Sequence, residues 1–174
     1  MQVNYKKFDK ALRRLGQDIE EVKLTKDDIL ALHDLAIQEY GGENGVRDAN
    51  LLESVCVTPH QSVFGADLYP TIFDKAAKYL LDFSRYQVFV DGNKRTGVLA
   101  MWDEMAANGY DLSFTDEEIY ALTMDIANNR ITELEDVVKV IKEKAFISEE
   151  VLKDVEEKFG EETEVSEDVE EEKA

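Results

Sequence analysis

The sequence predicts an all-α fold, a helical bundle built on one central helix, with a small flap or hairpin and an acidic C-terminal tail. Two observations carry this. Apolar residues recur at spacings of three and four through most of the chain. Capping residues precede several of those runs, and glycine or proline punctuates the gaps.

Taken in order, Tyr5, Phe8, Leu12 and Leu15 predict an N-terminal amphipathic helix that stops at Gly16. Thr25 before Lys26-Asp27-Asp28 is a variant capping box. The helix it opens is expected to bury Ile29, Leu32, Leu35 and Ala36 and to end at Gly41-Gly42. Asp48 caps a short helix with Leu51, Leu52 and Val55, stopped near Pro59. Thr58 to Pro70 mixes proline, glycine and polar residues and reads as a loop or small hairpin. Ile72, Phe73, Ala76, Ala77, Leu80, Leu81 and Ser84 then share one broad face, the candidate central helix.

Gln87 to Gly92 breaks the helical pattern. A helix restarts near Asn93, with Leu99, Trp102, Met105 and Ala106 expected inward, and ends before Gly109. Thr115 with Glu118, and Thr132 with Glu135, predict two more capped helices, each cap worth about 1 kcal/mol. Their core residues are Ile119, Leu122 and Ile126, then Val137, Val138 and Ile141. A last amphipathic piece carries Val151, Leu152, Val155 and Phe159. From Gly160 onward the chain is acidic and lacks aromatics, a composition that predicts disorder.

Three segments follow: a basic helical extension over 1–21, a helical domain over 22–146, and an acidic extension over 147–174. The chain has 174 residues, 44% of them hydrophobic, enough for one core. Its longest apolar runs fall far short of the roughly 20 residues that span a bilayer. The first residues lack the apolar stretch of a secretory signal, so the expected location is the cytoplasm. The net charge of −19 opposes association with nucleic acid or an anionic membrane. Residues 148–174 hold thirteen acids and three lysines, while the first sixteen residues hold five basic groups and one acid. Cys56 is the only cysteine and reads as a buried hydrophobe, which excludes an internal disulfide and a cysteine-based zinc site. The only histidines, His33 and His60, are far apart in sequence, which disfavours a His-rich metal site.

The segment Phe89-Val90-Asp91-Gly92-Asn93-Lys94-Arg95 carries chemistry. Asp-Gly makes a tight turn, and the residues after it open a helix. A helix N-terminus offers unpaired N–H groups and the positive end of the dipole, an anion site. Gly92 lets a phosphate approach the backbone. Asn93 adds an amide donor, Lys94 a point charge and Arg95 a two-pronged phosphate grip. Asp91 suits Mg²⁺, which takes one or two carboxylates together with phosphate oxygens and water. Phe89 anchors the loop in the core. The plain alternative, a turn before a helix with solvated basic residues, is open on these residues alone.

Phe89-x-Asp91-Gly92-Asn93-Lys94-Arg95-Thr96-Gly97 resembles the Fic/Doc signature, His-x-Phe-x-Asp-Gly-Asn-x-Arg. Other blocks look like the death-on-curing branch in order and spacing: Ala31-Leu32-His33-Asp34, Tyr40-Gly41-Gly42, Gly45-Val46-Arg47-Asp48, Leu51-Leu52-Glu53-Ser54 and Pro59-His60-Gln61. Lys94 and Val98 stand where AMP-transferring members usually carry glycine and arginine, which favours the Doc-like branch. The resemblance implies a compact Fic/Doc bundle and a toxin of a toxin–antitoxin module. It implies transfer of phosphate from Mg·ATP to a protein hydroxyl, with elongation factor Tu as target, and inhibition by a small antitoxin protein. By resemblance Asp91 holds the metal, Gly92, Asn93 and Lys94 cradle phosphate, Arg95 binds phosphate, and Phe89 anchors the loop.

The family histidine falls on Gln87. An imidazole titrates near pH 7 and can take a proton from the target hydroxyl. An amide cannot. Losing a positioned base lowers a rate by about 10² to 10⁴. Yet phosphoryl transfer relies mostly on positioning and charge stabilisation, so weakened, altered and absent activity are all open. A catalytically inactive nucleotide- or antitoxin-binding protein is the alternative reading. His33 reads as structural. His60 reads as a polar surface histidine, with a replacement base in a flap as the other option.

Overall fold

The computed structural model describes residues 21–153; the expected basic N-terminal helix and the tail beyond 153, Val155 and Phe159 included, lie outside the described residues. Helix α1 (Lys26–Tyr40) is opened by the expected capping box, in which Thr25 and Asp28 bond each other's backbone N–H reciprocally. It buries Ile29, His33 and Ala36, while Leu35 is exposed. The inward face is thus the i, i+4, i+7 stripe, shifted by one position from the purely apolar reading.

Helix α2 (Ala49–Val57) is capped by Asp48 and buries Leu52, Val55 and Cys56. One 3₁₀ turn (Thr58–His60) leads into a hairpin of β1 (Ser62–Val63) and β2 (Ala66–Asp67), whose turn carries the wholly exposed Phe64. Helix α3 (Ile72–Arg85) is central, as expected, with ten of its fourteen residues buried. Thr71 and Asp74 close a further capping box at its start.

Helix α4 (Asn93–Ala107) lies against α3 so closely that a Cβ on Gly97 would meet the Phe83 Cβ at 2.8 Å. Its inner face is Ala100, Met101, Glu104 and Met105. The expected Leu99 and Trp102 are only half-buried and Ala106 is exposed, because contact through small residues turns the helix relative to its larger apolar side chains. Strand β3 (Tyr110–Leu112) pairs with β4 (Ala145–Ile147) in an antiparallel ribbon that helical periodicity does not predict. Between them run α5 (Asp116–Ala127), capped by Thr115 and Glu118, and α6 (Leu134–Lys144). The second expected cap differs: α6 begins after Glu133, and Thr132 Oγ1 bonds the Glu133 carboxylate instead of a helix N–H. The chain is helical again from 149 to 153.

The fold is all-α in class, with two short antiparallel ribbons, one of them a hairpin. Its core has two parts that share α3 and α4. One joins them to α5, α6 and β3–β4. The other joins them to α1, α2 and Val88-Phe89, and this second part positions the loop. Among the described residues, no helix is long and apolar enough to cross a membrane.

Candidate active site

The segment between α3 and α4 is held before any side chain reaches solvent. Val46 bridges Phe89 as a short antiparallel pair. Val90 N donates to Gly45 O at 2.8 Å, and Arg47 N donates to Val88 O at 2.9 Å. Phe89 is fully buried and stacks on His33, with centroids 3.7 Å apart and planes 4° apart, and on Phe83 at 5.8 Å. These contacts fix the Phe89 ring in the core beneath the loop.

Gly92 is the N-cap of α4 with φ +74°, a left-handed conformation that favours glycine. A Cβ there would also meet Ile37 Cδ1 at 3.1 Å and His33 Cε1 at 3.5 Å. The residue is therefore required by the turn and by packing on α1 independently of any ligand. Thr96 Oγ1 donates to Gly92 O at 3.0 Å, and the His33 Nδ1–H then donates to Thr96 Oγ1 at 3.2 Å. Burial lowers the His33 pKa, which keeps the ring neutral beneath the loop. His33 is structural, as its position in α1 suggests.

The Asn93 side chain faces inward. Its Oδ1 accepts from Phe89 N at 2.8 Å and its Nδ2 donates to Phe89 O at 3.0 Å. The same Nδ2 reaches Gln87 Oε1 at 3.3 Å. The expected side-chain donation to phosphate is thus redirected into the loop, and what Asn93 offers outward is its backbone N–H. The first turn of a helix leaves such groups without intrahelical partners.

Asp91 Oδ1 accepts from Gly92 N at 2.6 Å and lies 3.6 Å from Arg95. The Gly92 N–H and the Arg95 guanidinium hold its carboxyl below the usual range, so it is ionised and half-exposed. A Cβ on Gly42 would lie 2.5 Å from Asp91 Oδ2, so the α1–α2 loop packs closely on that oxygen and only glycine fits there. Arg95 donates to Gly41 O at 2.7 Å and sits over the Tyr40 ring at 6.0 Å. Lys94 makes no ion pair among the described residues.

These groups open onto a cleft of about 550 Å³. Gln87, Asp91, Gly92, Lys94 and Arg95 line it together with Tyr40, Ile119, Tyr120 and Thr123. A polar floor of helix N–H groups, two cations and one carboxylate, with part-apolar walls, suits a phosphate ester with an aromatic or apolar body. Asp91 is the side chain in the cleft suited to a hard divalent cation.

His60 is elsewhere. Its side chain is 10% exposed, and it hydrogen-bonds Tyr79 OH at 3.2 Å and faces Glu104. Glu104 is eleven residues beyond Asn93, about 16 Å along α4 at 1.5 Å per residue. The expected surface histidine is therefore buried, and it is too far from Gln87 to replace the missing base. Sequence reasoning missed His33, Ile37 and Gly42 as shapers of the loop. Each acts from α1 or its end, some fifty residues earlier, and no local pattern marks them.

The Fic/DOC family profile matches residues 23–103, which span α1 through most of α4. The chain is 40% identical over 90 residues to a protein named Toxin Doc from Mycolicibacterium smegmatis, covering 52% of this chain and 67% of that protein. It is 28% identical over 109 residues to one named Protein kinase doc from Escherichia phage P1, covering 63% of this chain and 85% of that one. The loop, α1 and the start of α4 fall inside the matched region, and the chain belongs to the Fic/DOC family.

Proposed function

We propose that this protein is a Doc-like toxin of a toxin–antitoxin module, an Mg·ATP-dependent phosphotransferase acting on a protein hydroxyl and weakened by Gln87. A threonine of elongation factor Tu is the proposed target, translation the process inhibited, and a small antitoxin protein the proposed partner. The observation that carries this reading is the α4 N-terminus, with its free N–H groups, Lys94, Arg95 and ionised Asp91 converging on one cleft. The names of the two relatives, one a toxin and one a protein kinase, support the same reading.

In this reading the backbone N–H groups of Asn93, Lys94 and Arg95 receive phosphate oxygens. Lys94 and Arg95 balance their charge, Arg95 by turning from Gly41 O toward the cleft. Asp91 would hold Mg²⁺ through its carboxylate, and the ion would supply charge neutralisation at the phosphates. The γ-phosphorus bond to the bridging oxygen breaks, a bond to the target hydroxyl oxygen forms, and ADP leaves. The hydroxyl proton must pass to water, because the Gln87 amide can orient that group but not deprotonate it.

The Gln87 amide also favours a second reading. It is tied to Asn93, and no histidine lines the cleft. A protein that binds nucleotide or antitoxin without turnover fits this. Incubating the protein and its Gln87→His variant with Mg·ATP and elongation factor Tu, and measuring phosphate transfer, tests both. Slow transfer by the native chain and fast transfer by the variant are expected. Equal rates would remove the role given to position 87, and no transfer by either would remove that target.

A further inference from the structure

A second polar cluster lies beside the later half of α4, away from the cleft. Glu104 is fully buried there, and neither of its carboxylate oxygens has a hydrogen-bonded partner. It faces His60 Nε2, 3.7 Å from its Oε1. On the other edge of that ring, Nδ1 lies 3.4 Å from Glu21 Oε1, and both of these atoms are also buried without a hydrogen bond. Lys75, itself buried on α3, takes the other Glu21 oxygen at 2.6 Å, and Tyr79 OH steadies the imidazole at 3.2 Å. Taking one ligand atom from each of Glu21, His60 and Glu104, all three lie within 4.8 Å of one another.

Two buried Glu104 oxygens without a hydrogen-bonded partner, close to a second carboxylate, call for a cation or a proton. We propose that Glu21, His60 and Glu104 bind one divalent transition-metal ion, Zn²⁺ the best match, and that the ion staples the segment before α1 onto the 3₁₀ turn and α4. A tetrahedral ion with ligands at 2.0–2.2 Å needs ligand atoms about 3.4 Å apart. An imidazole offers one ion a single nitrogen, and with one ligand atom from each residue the three lie within 4.8 Å of one another, so side-chain rotations bring the set to that value. Two carboxylates balance the ion's charge, while Lys75 occupies the outer oxygen of Glu21. A mixed imidazole–carboxylate donor set favours Zn²⁺ or Mn²⁺ over the all-oxygen preference of Mg²⁺ and Ca²⁺. The arrangement is independent of the cleft and of the function proposed for it. It joins residues from three parts of the chain, as a structural site does.

The test is a Zn²⁺ titration of the full chain, first stripped with a chelator, followed by calorimetry and thermal melting. One equivalent should bind above the weak background of surface acids and raise the Tm, releasing protons as it does so. Glu104→Gln and His60→Gln should each weaken that event by more than the roughly 10–100-fold that loss of an outer partner gives. Should either variant fold poorly, Co²⁺ spectra of the unaltered chain decide. Strong visible bands of a four- or five-coordinate ion are expected. No binding, binding unchanged in both variants, or only the weak bands of a six-coordinate all-oxygen site would overturn the proposal.

Discussion

The two ends of α4 present polar groups in opposite ways. At its start, Asp91 and Arg95 stand half in water, and the N–H groups of the first turn face an open cleft. Toward its end, Glu104 is buried among His60, Glu21 and Tyr79 with its oxygens unpartnered. The first site is polar where solvent or a ligand can compensate it. The second is polar where only a proton, a cation or rearrangement can. One helix thus carries exposed cations and first-turn N–H groups at one end and an acceptor-rich pocket at the other. Packing rather than composition separates them: the loop is held outward by the Phe89–His33 stack, while Gly97 draws the rest of α4 onto α3.

The comparison breaks most visibly at Gln87. Replacing it with histidine should raise phosphate transfer by about 10² to 10⁴, read by labelled phosphate on the target, with little change in nucleotide affinity. The next effect belongs to Glu104, whose carboxyl burial pushes up to about 7 from an ordinary 4.5. Between those values the folded protein holds a proton that the unfolded chain has released. Stability contributed by the protonated form is therefore lost as pH rises through 7. His60, whose pKa burial lowers, acts in the opposite sense: its contribution is full above about 6.5 and is lost as pH falls. In chelator, urea melts of Glu104→Gln against the native chain should diverge by on the order of 3 kcal/mol from pH 5 to 8, in favour of the variant. Parallel curves would show that Glu104 stays ionised in the folded state.

Two smaller effects sharpen the contrast between packing and binding. Gly97→Ala puts a Cβ 2.8 Å from Phe83 and should cost about 1–3 kcal/mol in denaturant melts, leaving the loop sequence untouched. Removing the exposed Lys26–Glu53 pair by Lys26→Met should leave the midpoint of a denaturant melt essentially unchanged, since water screens both charges.

What was legible in the sequence follows from distance along the chain. The loop is contiguous, so Asp91, Gly92, Lys94 and Arg95 show their chemistry in a single window, and the capping boxes at Thr25 and Thr115 lie within four residues. Asn93 misleads because its amide has a nearer partner, the Phe89 peptide, than any ligand. The inward face of α4 misleads because Gly97 and Ala100 decide its packing, although they carry less apolar surface than Leu99 or Trp102. The pocket of Glu21, His60 and Glu104 joins positions separated by about forty residues each, and no pattern of spacing marks it. The β3–β4 ribbon has three-residue strands, too short for alternation to stand out from a helix boundary.

The central claim is that the start of α4 grips the phosphates of Mg·ATP whatever Gln87 does to the reaction. Calorimetric titration of Mg·ATP into the native chain and into Arg95→Ala and Asp91→Ala tests it directly. The account predicts binding by the native chain that weakens by about tenfold or more in each variant. Equal affinity in all three, with the fold intact by circular dichroism, would contradict it.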